Sequence, residues 1–107
     1  LRSLSGCYFV HTITAMRIEF DPAKNEQNIR ERGLSFERAA AFAFETATIT
    51  VDNRRNYGEA RFRALGYLDG RLHALVFIGL PDGIRVISFR KANAREAIRY
   101  GKPQAID

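Results

Sequence analysis

Two turn signals between residues 59 and 91 constrain the fold of this chain more than any other feature. Asp69-Gly70 is typical of a β-hairpin, and Pro81-Asp82-Gly83 predicts a second reversal of the chain. The segments around them, 59–68, 71–80 and 84–91, have the length and apolar content of strands. Charged and apolar side chains alternate in the first, and the second is the most apolar, which predicts a central strand. We therefore expect an antiparallel meander.

Strand and helix signals also precede the meander. Residues 17–20 and the β-branched segment 47–51 are predicted strands. Asp21 is a good N-cap, Pro22 suits the first helical position, and Gly33 can adopt the left-handed conformation that ends a helix. The sequence thus predicts a strand followed by a helix over residues 22–32.

Apolar spacing predicts two more helices. Ser35 caps a second helix in which apolar residues recur at i, i+3, i+4, i+7 and i+8, namely Phe36, Ala39, Ala40, Ala43 and Phe44. Asn93 caps a closing helix at Ala94–Tyr100, with three apolar residues expected to face the sheet: Ala94, Ala97 and Ile98. The predicted fold class is α+β: an antiparallel sheet of four to five strands, covered on one side by two N-terminal helices and one C-terminal helix.

The 107 residues suit one domain, which we expect to cover residues 16–107. Residues 1–15 contain no acid and end just before Met16, the one methionine of the chain. We expect them to be an upstream extension, disordered or not native, with Met16 as the initiator. Their apolar run is far too short to span a bilayer, so no membrane partner is predicted. A lone Cys7 excludes an intrachain disulfide and suits the cytoplasm.

Positive charge is concentrated where the last strand meets the closing helix. The chain has 17 Lys and Arg against 12 Asp and Glu, a formal net charge of +5. Between residues 84 and 102 one acid, Glu96, stands among six basic residues: Arg85, Arg90, Lys91, Arg95, Arg99 and Lys102. Charge fixed on ordered structure suits a polyanion, so RNA or DNA is the first substrate class to consider.

Metal and cofactor chemistry find little support in the sequence. The chain has two histidines and no paired acids at metal-ligand spacing, and no glycine-rich phosphate loop precedes a helix. What remains is a polar face on the predicted sheet. We expect it to combine Arg61 and Arg63 on one strand, Arg71 and His73 on its hairpin partner, and Arg90 on the last strand.

Such a face can cleave an RNA phosphodiester. Arg61 and Arg90 are predicted to hold the phosphate and stabilise charge on its non-bridging oxygens. Glu59 or His73 is the predicted base or acid for proton transfer. The further predicted RNA-binding residues are Arg63, Arg85, Lys91, Arg95 and Arg99.

Structural readings of the same residues stay open. Glu59 can form an ion pair with Arg61 or Arg63, and His73 can be a half-buried strand histidine with a backbone partner. The basic side chains of the closing helix can form a solvated face or bind an acidic protein.

Three groups of residues resemble the BrnT family of type II toxins, which are RelE-like ribonucleases. The first group begins at the first strand: Phe20-Asp21-Pro22-Ala23-Lys24, Asn28 and Gly33-Leu34-Ser35-Phe36. The second lies around the first strand of the hairpin: Asp52, Arg54, Tyr57-Gly58-Glu59, Arg61, Ala64-Leu65-Gly66 and Gly70-Arg71-Leu72. The third closes the chain: Arg85-Val86-Ile87-Ser88, Arg90-Lys91-Ala92, Arg95-Glu96 and Arg99-Tyr100. Their order and spacing cover residues 16 to about 100.

The resemblance implies a RelE-like fold and a bacterial toxin that cleaves mRNA, free or on the ribosome, and inhibits translation without a cofactor. It also implies a cognate ribbon-helix-helix antitoxin, with operator DNA contacted only through that antitoxin. By position, Glu59, Arg61, Arg90 and Lys91 match the polar strand residues of RelE-like toxins. Many relatives carry Lys-His where this chain has Glu31-Arg32. The alternative reading is a non-catalytic basic module that binds nucleic acid or the antitoxin.

Overall fold

The computed structural model describes residues 16–53 and 58–106. The expectation for residues 1–15, and the family positions Arg54 and Tyr57, lie outside these residues. The strands are β1 (Arg17–Glu19), β2 (Thr48–Val51), β3 (Phe62–Leu68), β4 (Arg71–Leu80) and β5 (Gly83–Lys91); the α-helices are α1 (Pro22–Arg32) and α2 (Ala94–Arg99). Two 3-10 segments, Phe36–Ala41 and Phe44–Thr46, lie between α1 and β2.

The strands form one five-stranded sheet in the order β1-β5-β4-β3-β2. Strands β2 to β5 form the predicted antiparallel meander, and β4 is the central strand of the sheet. The expectation of a wholly antiparallel sheet is wrong, because β1 pairs with β5 in parallel, Arg17 opposite Gly83. A Cβ at Gly83 would lie 1.9 Å from the carbonyl oxygen of Arg17, so glycine is what lets β1 approach here.

The first predicted helix forms with the expected caps. The Asp21 side chain accepts a hydrogen bond from the Ala23 amide, and Gly33 ends α1 in the left-handed conformation at φ 65°. Asn28 is the buried residue of this otherwise exposed helix. Its side-chain amide donates to the carbonyl oxygens of Leu34 and Phe89, each at 2.9 Å, which joins α1 to β5.

The second predicted helix is not an α-helix but the two 3-10 segments. Ser35 does cap the first segment, through a hydrogen bond from the Glu37 amide to its hydroxyl oxygen. The Phe42 amide bonds to the Ala39 carbonyl, and the Ala43 amide donates to the Tyr67 carbonyl of β3 at 2.9 Å. In an α-helix each of these amides would donate to the carbonyl oxygen four residues earlier. Because the Phe42 amide bonds three residues back and the Ala43 amide bonds to the sheet, an α-helix cannot continue here.

The two faces of the sheet differ, and both are partly covered. On the core face the 3-10 segments pack against Leu75, Phe77, Val86 and Phe89. On the opposite face, here the α2 face, a smaller cluster unites Leu65, Leu72, Ala74, Ala92 and Ala97. The prediction that all helices cover one side of the sheet is therefore wrong.

A β-bulge in β5 decides which side chains reach the α2 face. Val76 pairs with Ser88, whereas its neighbour Phe77 pairs with Val86, so Ile87 is an extra residue. Simple alternation from the buried Val86 would send every second residue of β5 to the core face, Arg90 among them. The bulge reverses the alternation beyond Ile87, which places Phe89 in the core and Arg90 on the α2 face.

Helix α2 is rotated relative to the prediction. Ile98, expected to face the sheet, is 81% exposed, whereas Ala97 is buried. Glu96 is the other buried residue of α2 and faces the sheet. Asn93 and Glu96 form a reciprocal capping box, and the Glu96 carboxylate also reaches arginines of the sheet. These bonds fix the helix with its acid inward and Ile98 outward.

Candidate functional site

Three arginine side chains converge on the α2 face. Arg61 immediately precedes β3, Arg63 lies in β3 and Arg90 lies in β5. Arg61, Arg63 and Arg90 line one cavity of about 110 Å³, whose wall also includes Ile87 and Ser88. Arg61 and Arg63 are two residues apart and share a side of the strand, and the bulge in β5 adds Arg90. We call Arg61, Arg63 and Arg90 the arginine cluster.

Glu96 of α2 joins two members of the arginine cluster. Its Oε2 lies 2.6 Å from the nearest guanidinium nitrogen of Arg63 and 2.8 Å from one of Arg90. Its Oε1 accepts a second bond from Arg90 at 2.8 Å, which completes a bidentate pair. The Asn93 amide donates to the same carboxylate. The carboxylate therefore fixes both guanidinium planes at the cavity.

Glu96 is ionised at any pH near neutrality. The hydrogen bonds from Arg90, with further contributions from the Asn93 amide and Arg63, lower the pKa of Glu96 to about 2, although burial opposes this. A carboxyl group with that pKa neither donates nor takes up a proton at pH 7. Glu96 therefore acts as a counter-ion that positions arginines, and not as an acid or base.

Glu59 lies beside the third arginine. Its carboxylate is 3.8 Å from the guanidinium of Arg61, and its side chain is about half exposed. This distance makes an ion pair without a close hydrogen bond. The ion pair with Arg61 does not exclude the predicted role of Glu59 as a base. The carboxylate is exposed, so a substrate bound at the arginine cluster can contact it.

His73 lies on the other side of the sheet. Ala74 pairs with Arg90 on the α2 face, whereas His73 pairs with Lys91 on the core face. The His73 ring packs 5.5 Å from Phe89, and its Nδ1 lies 2.7 Å from the Arg71 carbonyl oxygen. Burial lowers the pKa of His73, so the ring is neutral at pH 7. The expected polar face that combines Arg71 and His73 with the arginine cluster is therefore not formed, because the register of the hairpin puts them on opposite faces.

The other predicted RNA-binding residues are spread around the molecule. Arg85 is bound by Glu19, 2.6 Å away, at the pairing of β1 with β5. Lys91 is exposed at the end of β5 on the core face. Arg95 and Arg99 lie on the exposed side of α2, Arg99 with its guanidinium 5.8 Å from the centroid of the Tyr100 ring.

Sequence reasoning missed Glu96 and the bulge. Glu96 is the one acid in the basic stretch from 84 to 102, three residues after Asn93, which is the spacing of a capping box. That signal was sufficient to predict the cap, but the sheet contacts of the same carboxylate depend on tertiary structure. The family positions Glu31 and Arg32 bond within α1, to Gln27 and Asn28.

Within 16–53 and 58–106, no group of three or more His, Cys, Asp or Glu side chains is arranged to hold a metal ion. In the same part of the chain, no helix has the length and apolar content needed to cross a membrane.

The fold and the arginine cluster together define a class: a small α+β protein with a basic site on one face of a mixed sheet. The profile of one family, described as the ribonuclease toxin BrnT of type II toxin-antitoxin systems, matches residues 20–96. The chain belongs to this BrnT family, as the sequence resemblance predicted. The crystal structure of the Brucella abortus ribonuclease toxin, BrnT, is similar at a TM-score of 0.58 and 26% identity, over 74% of this chain and 99% of that one. A comparison with curated proteins found no match.

Proposed function

We propose that this chain is an endoribonuclease toxin that cleaves mRNA at the arginine cluster without a metal ion. Its action in the bacterial cytoplasm inhibits translation, on free transcripts or on the ribosome, until a cognate ribbon-helix-helix antitoxin binds it. Operator DNA is contacted only through that antitoxin. The observation that carries the proposal is the convergence of Arg61, Arg63 and Arg90 at one cavity of the α2 face.

The arginine cluster suits a phosphodiester in charge and in rigidity. Three guanidinium groups at one cavity offer a phosphate several positively charged hydrogen-bond donors. Guanidinium groups hold phosphate oxygens through paired N–H donors, and Glu96 keeps two of them in fixed planes. Donors oriented in advance stabilise the charge that builds on the non-bridging oxygens when phosphorus becomes five-coordinate. Arginine supplies here the charge stabilisation that a metal ion supplies elsewhere.

The proposed reaction is an internal transesterification. The 2′-oxygen of the RNA bonds to phosphorus while the bond from phosphorus to the 5′-oxygen breaks, which yields a 2′,3′-cyclic phosphate and a 5′-hydroxyl. Glu59 takes the proton of the 2′-hydroxyl, and water protonates the leaving 5′-oxygen. His73 has no part in this scheme, since it lies on the core face. Arg95 and Arg99 on α2 extend the positive surface along which flanking phosphates can lie.

Expression of the chain from Met16, alone and with Arg90→Ala, tests this proposal. The unsubstituted chain should arrest bacterial growth, and the purified protein should cut RNA in the presence of EDTA. Arg90→Ala should abolish both effects, and Arg30→Ala, which removes an exposed charge of α1, should preserve them. Equal toxicity of Arg90→Ala and the unsubstituted chain would place the site elsewhere, and loss of cutting in EDTA would refute metal independence. Co-purification with the product of the neighbouring reading frame tests the antitoxin.

One observation favours a second candidate function, a basic module that binds RNA without cutting it. Glu96, the carboxyl group that binds Arg63 and Arg90, stays ionised at pH 7 and cannot transfer a proton. Under this alternative the purified protein binds RNA with a steep dependence on salt concentration but leaves it intact. A cyclic phosphate end on the reaction product would exclude it.

A further inference from the structure

A second cavity, larger than the one at the arginine cluster, lies on the core face. It has a volume of about 470 Å³, within the range of small-molecule sites. It opens between the end of α1 and the ends of β4 and β5. Its apolar wall comes from Ile29, Leu34 and Leu68, and its polar groups from the strands. Nothing in the proposed cleavage reaction uses it.

Two cations at this cavity lack a carboxylate partner among residues 16–53 and 58–106. They are Arg71 and Lys91, on neighbouring strands of the sheet. The Nε of Arg71 is buried and has no hydrogen-bond partner in that part of the chain. By contrast, Arg38 at the same cavity forms an ion pair with Asp69. A buried donor without a partner costs free energy, and an anion bound to the guanidinium group of Arg71 would offset the cost of its charge.

His73 adds an acceptor to the same cavity. A carbonyl oxygen can only accept, so the contact between His73 Nδ1 and the Arg71 carbonyl requires the proton on Nδ1. In the neutral ring Nε2 is then an acceptor, and it has no partner within residues 16–53 and 58–106. His73 is paired in register with Lys91, and both residues line this cavity.

We propose that this cavity is a second binding site, for a phosphorylated nucleoside. Arg71 and Lys91 bind the phosphate, the apolar wall covers one face of the base, and a base amino group or ribose hydroxyl donates to Nε2 of His73. An inorganic anion would leave the apolar wall and the acceptor unused, and an apolar ligand would leave the cations unpaired. The site is independent of the proposed cleavage, because it lies on the opposite face of the sheet and its occupancy needs no reaction.

Isothermal titration calorimetry with the four nucleoside 5′-monophosphates, adenosine and inorganic phosphate tests the site. At least one nucleotide should bind with a Kd below about 1 mM, and phosphate and adenosine should each bind at least about tenfold more weakly. Lys91→Gln should weaken nucleotide binding about tenfold or more, because it removes a charged contact. Ile29→Trp, which fills the rim without changing a charge, should do the same. Arg30→Gln is the matched control on the outer surface of α1 and should bind normally.

The source of the nucleotide is distinguished by a 2′-O-methyl RNA oligonucleotide, which cannot be cleaved. If Lys91→Gln weakens its binding and free nucleotide competes with it, the site holds one nucleotide of an RNA chain. If its binding is insensitive to Lys91→Gln, the site holds a free nucleotide. The proposal is overturned if no nucleotide binds, if Lys91→Gln and Ile29→Trp bind normally, or if binding is lost in Arg90→Gln alone. None of these binding results bears on the proposed cleavage at the arginine cluster, which is tested separately by whether the protein cuts RNA.

Discussion

Substituting Glu96 by glutamine removes the charge that holds two arginines of the cluster but keeps the shape of the side chain. In the structure this carboxylate accepts three side-chain hydrogen bonds from Arg63 and Arg90. It also caps α2 through the Asn93 amide. The variant should fold, since glutamine can still cap a helix, but with a less stable junction between α2 and the sheet.

The loss of stability expected for Glu96→Gln follows from the lowered pKa of Glu96. Lowering a carboxyl pKa from 4.5 to about 2 corresponds to about 3 kcal/mol of folding free energy. Solvent screens part of this, because the Arg63 and Arg90 side chains are 25% and 31% exposed. We therefore expect Glu96→Gln to lower the free energy of unfolding at pH 7 by about 2 kcal/mol.

The stability contributed by Glu96 should decrease as the pH falls. A general packing defect would not produce this pH dependence. The Glu96 carboxyl is more acidic in the folded chain than in the unfolded one. Its contribution to stability is therefore fully present above pH 4.5 and is lost as the pH falls toward 2. The stability difference between the unsubstituted protein and Glu96→Gln should fall by more than half between pH 7 and pH 3.

Urea unfolding of both proteins at pH 7 and pH 3 measures this difference directly. Glu59→Gln is the control, because its half-exposed carboxylate lies 3.8 Å from Arg61 and should contribute less than about 0.5 kcal/mol. The reasoning is refuted if Glu96→Gln and Glu59→Gln are equally stable at pH 7. It is refuted as well if the effect of Glu96→Gln is the same at both pH values.

Three further substitutions test the packing, each by its urea midpoint. Gly66→Ala should destabilise the protein by about 1–3 kcal/mol, because the new Cβ would lie 2.8 Å from both Ala47 Cβ and a ring carbon of Phe42. Asn28→Ala should cost a similar 1–3 kcal/mol, since two backbone carbonyl oxygens lose their donor; a neutral result would contradict the bond between α1 and β5. Ile98→Glu should change stability by less than about 0.5 kcal/mol, and a large loss would mean that Ile98 packs on the sheet after all.

Local signals predicted most of the meander and its boundaries. The Asp69-Gly70 turn lies between β3 and β4 as expected, and Asp69 and Gly70 both adopt positive φ. The caps Asp21, Ser35 and Asn93 each open a helical segment. These features depend on neighbours within a few residues of each other, which is why the sequence reveals them.

Features set by distant contacts could not be predicted in the same way. The parallel pairing of β1 depends on Gly83, far along the chain. The second helix is broken by a bond from Ala43 to Tyr67 of the sheet. The bulge at Ile87 determines the face on which Arg90 lies. In the sequence it is marked by a shift of the apolar positions from Ile84 and Val86 to Phe89, but simple alternation along the strand does not anticipate it.

The candidate site likewise combines features that local sequence predicts with features that depend on distant contacts. Alternation placed Arg61 and Arg63 on one side of a strand, and the structure brings both to one cavity with Arg90. His73 was assigned to that face because strand register was unknown, and a shift of one residue moves a side chain to the other face. The roles of these residues in catalysis stay predictions.

The most direct test of the central claim is where RNA contacts the sheet. We suggest recording the arginine side-chain N–H resonances of isotope-labelled protein while a 2′-O-methyl RNA oligonucleotide is added. The signals of Arg61, Arg63 and Arg90 should shift together and saturate at one RNA concentration, because the three side chains line one cavity. Unchanged signals from these three, with shifts confined to Arg17 and Arg85 at the β1 edge, would contradict it.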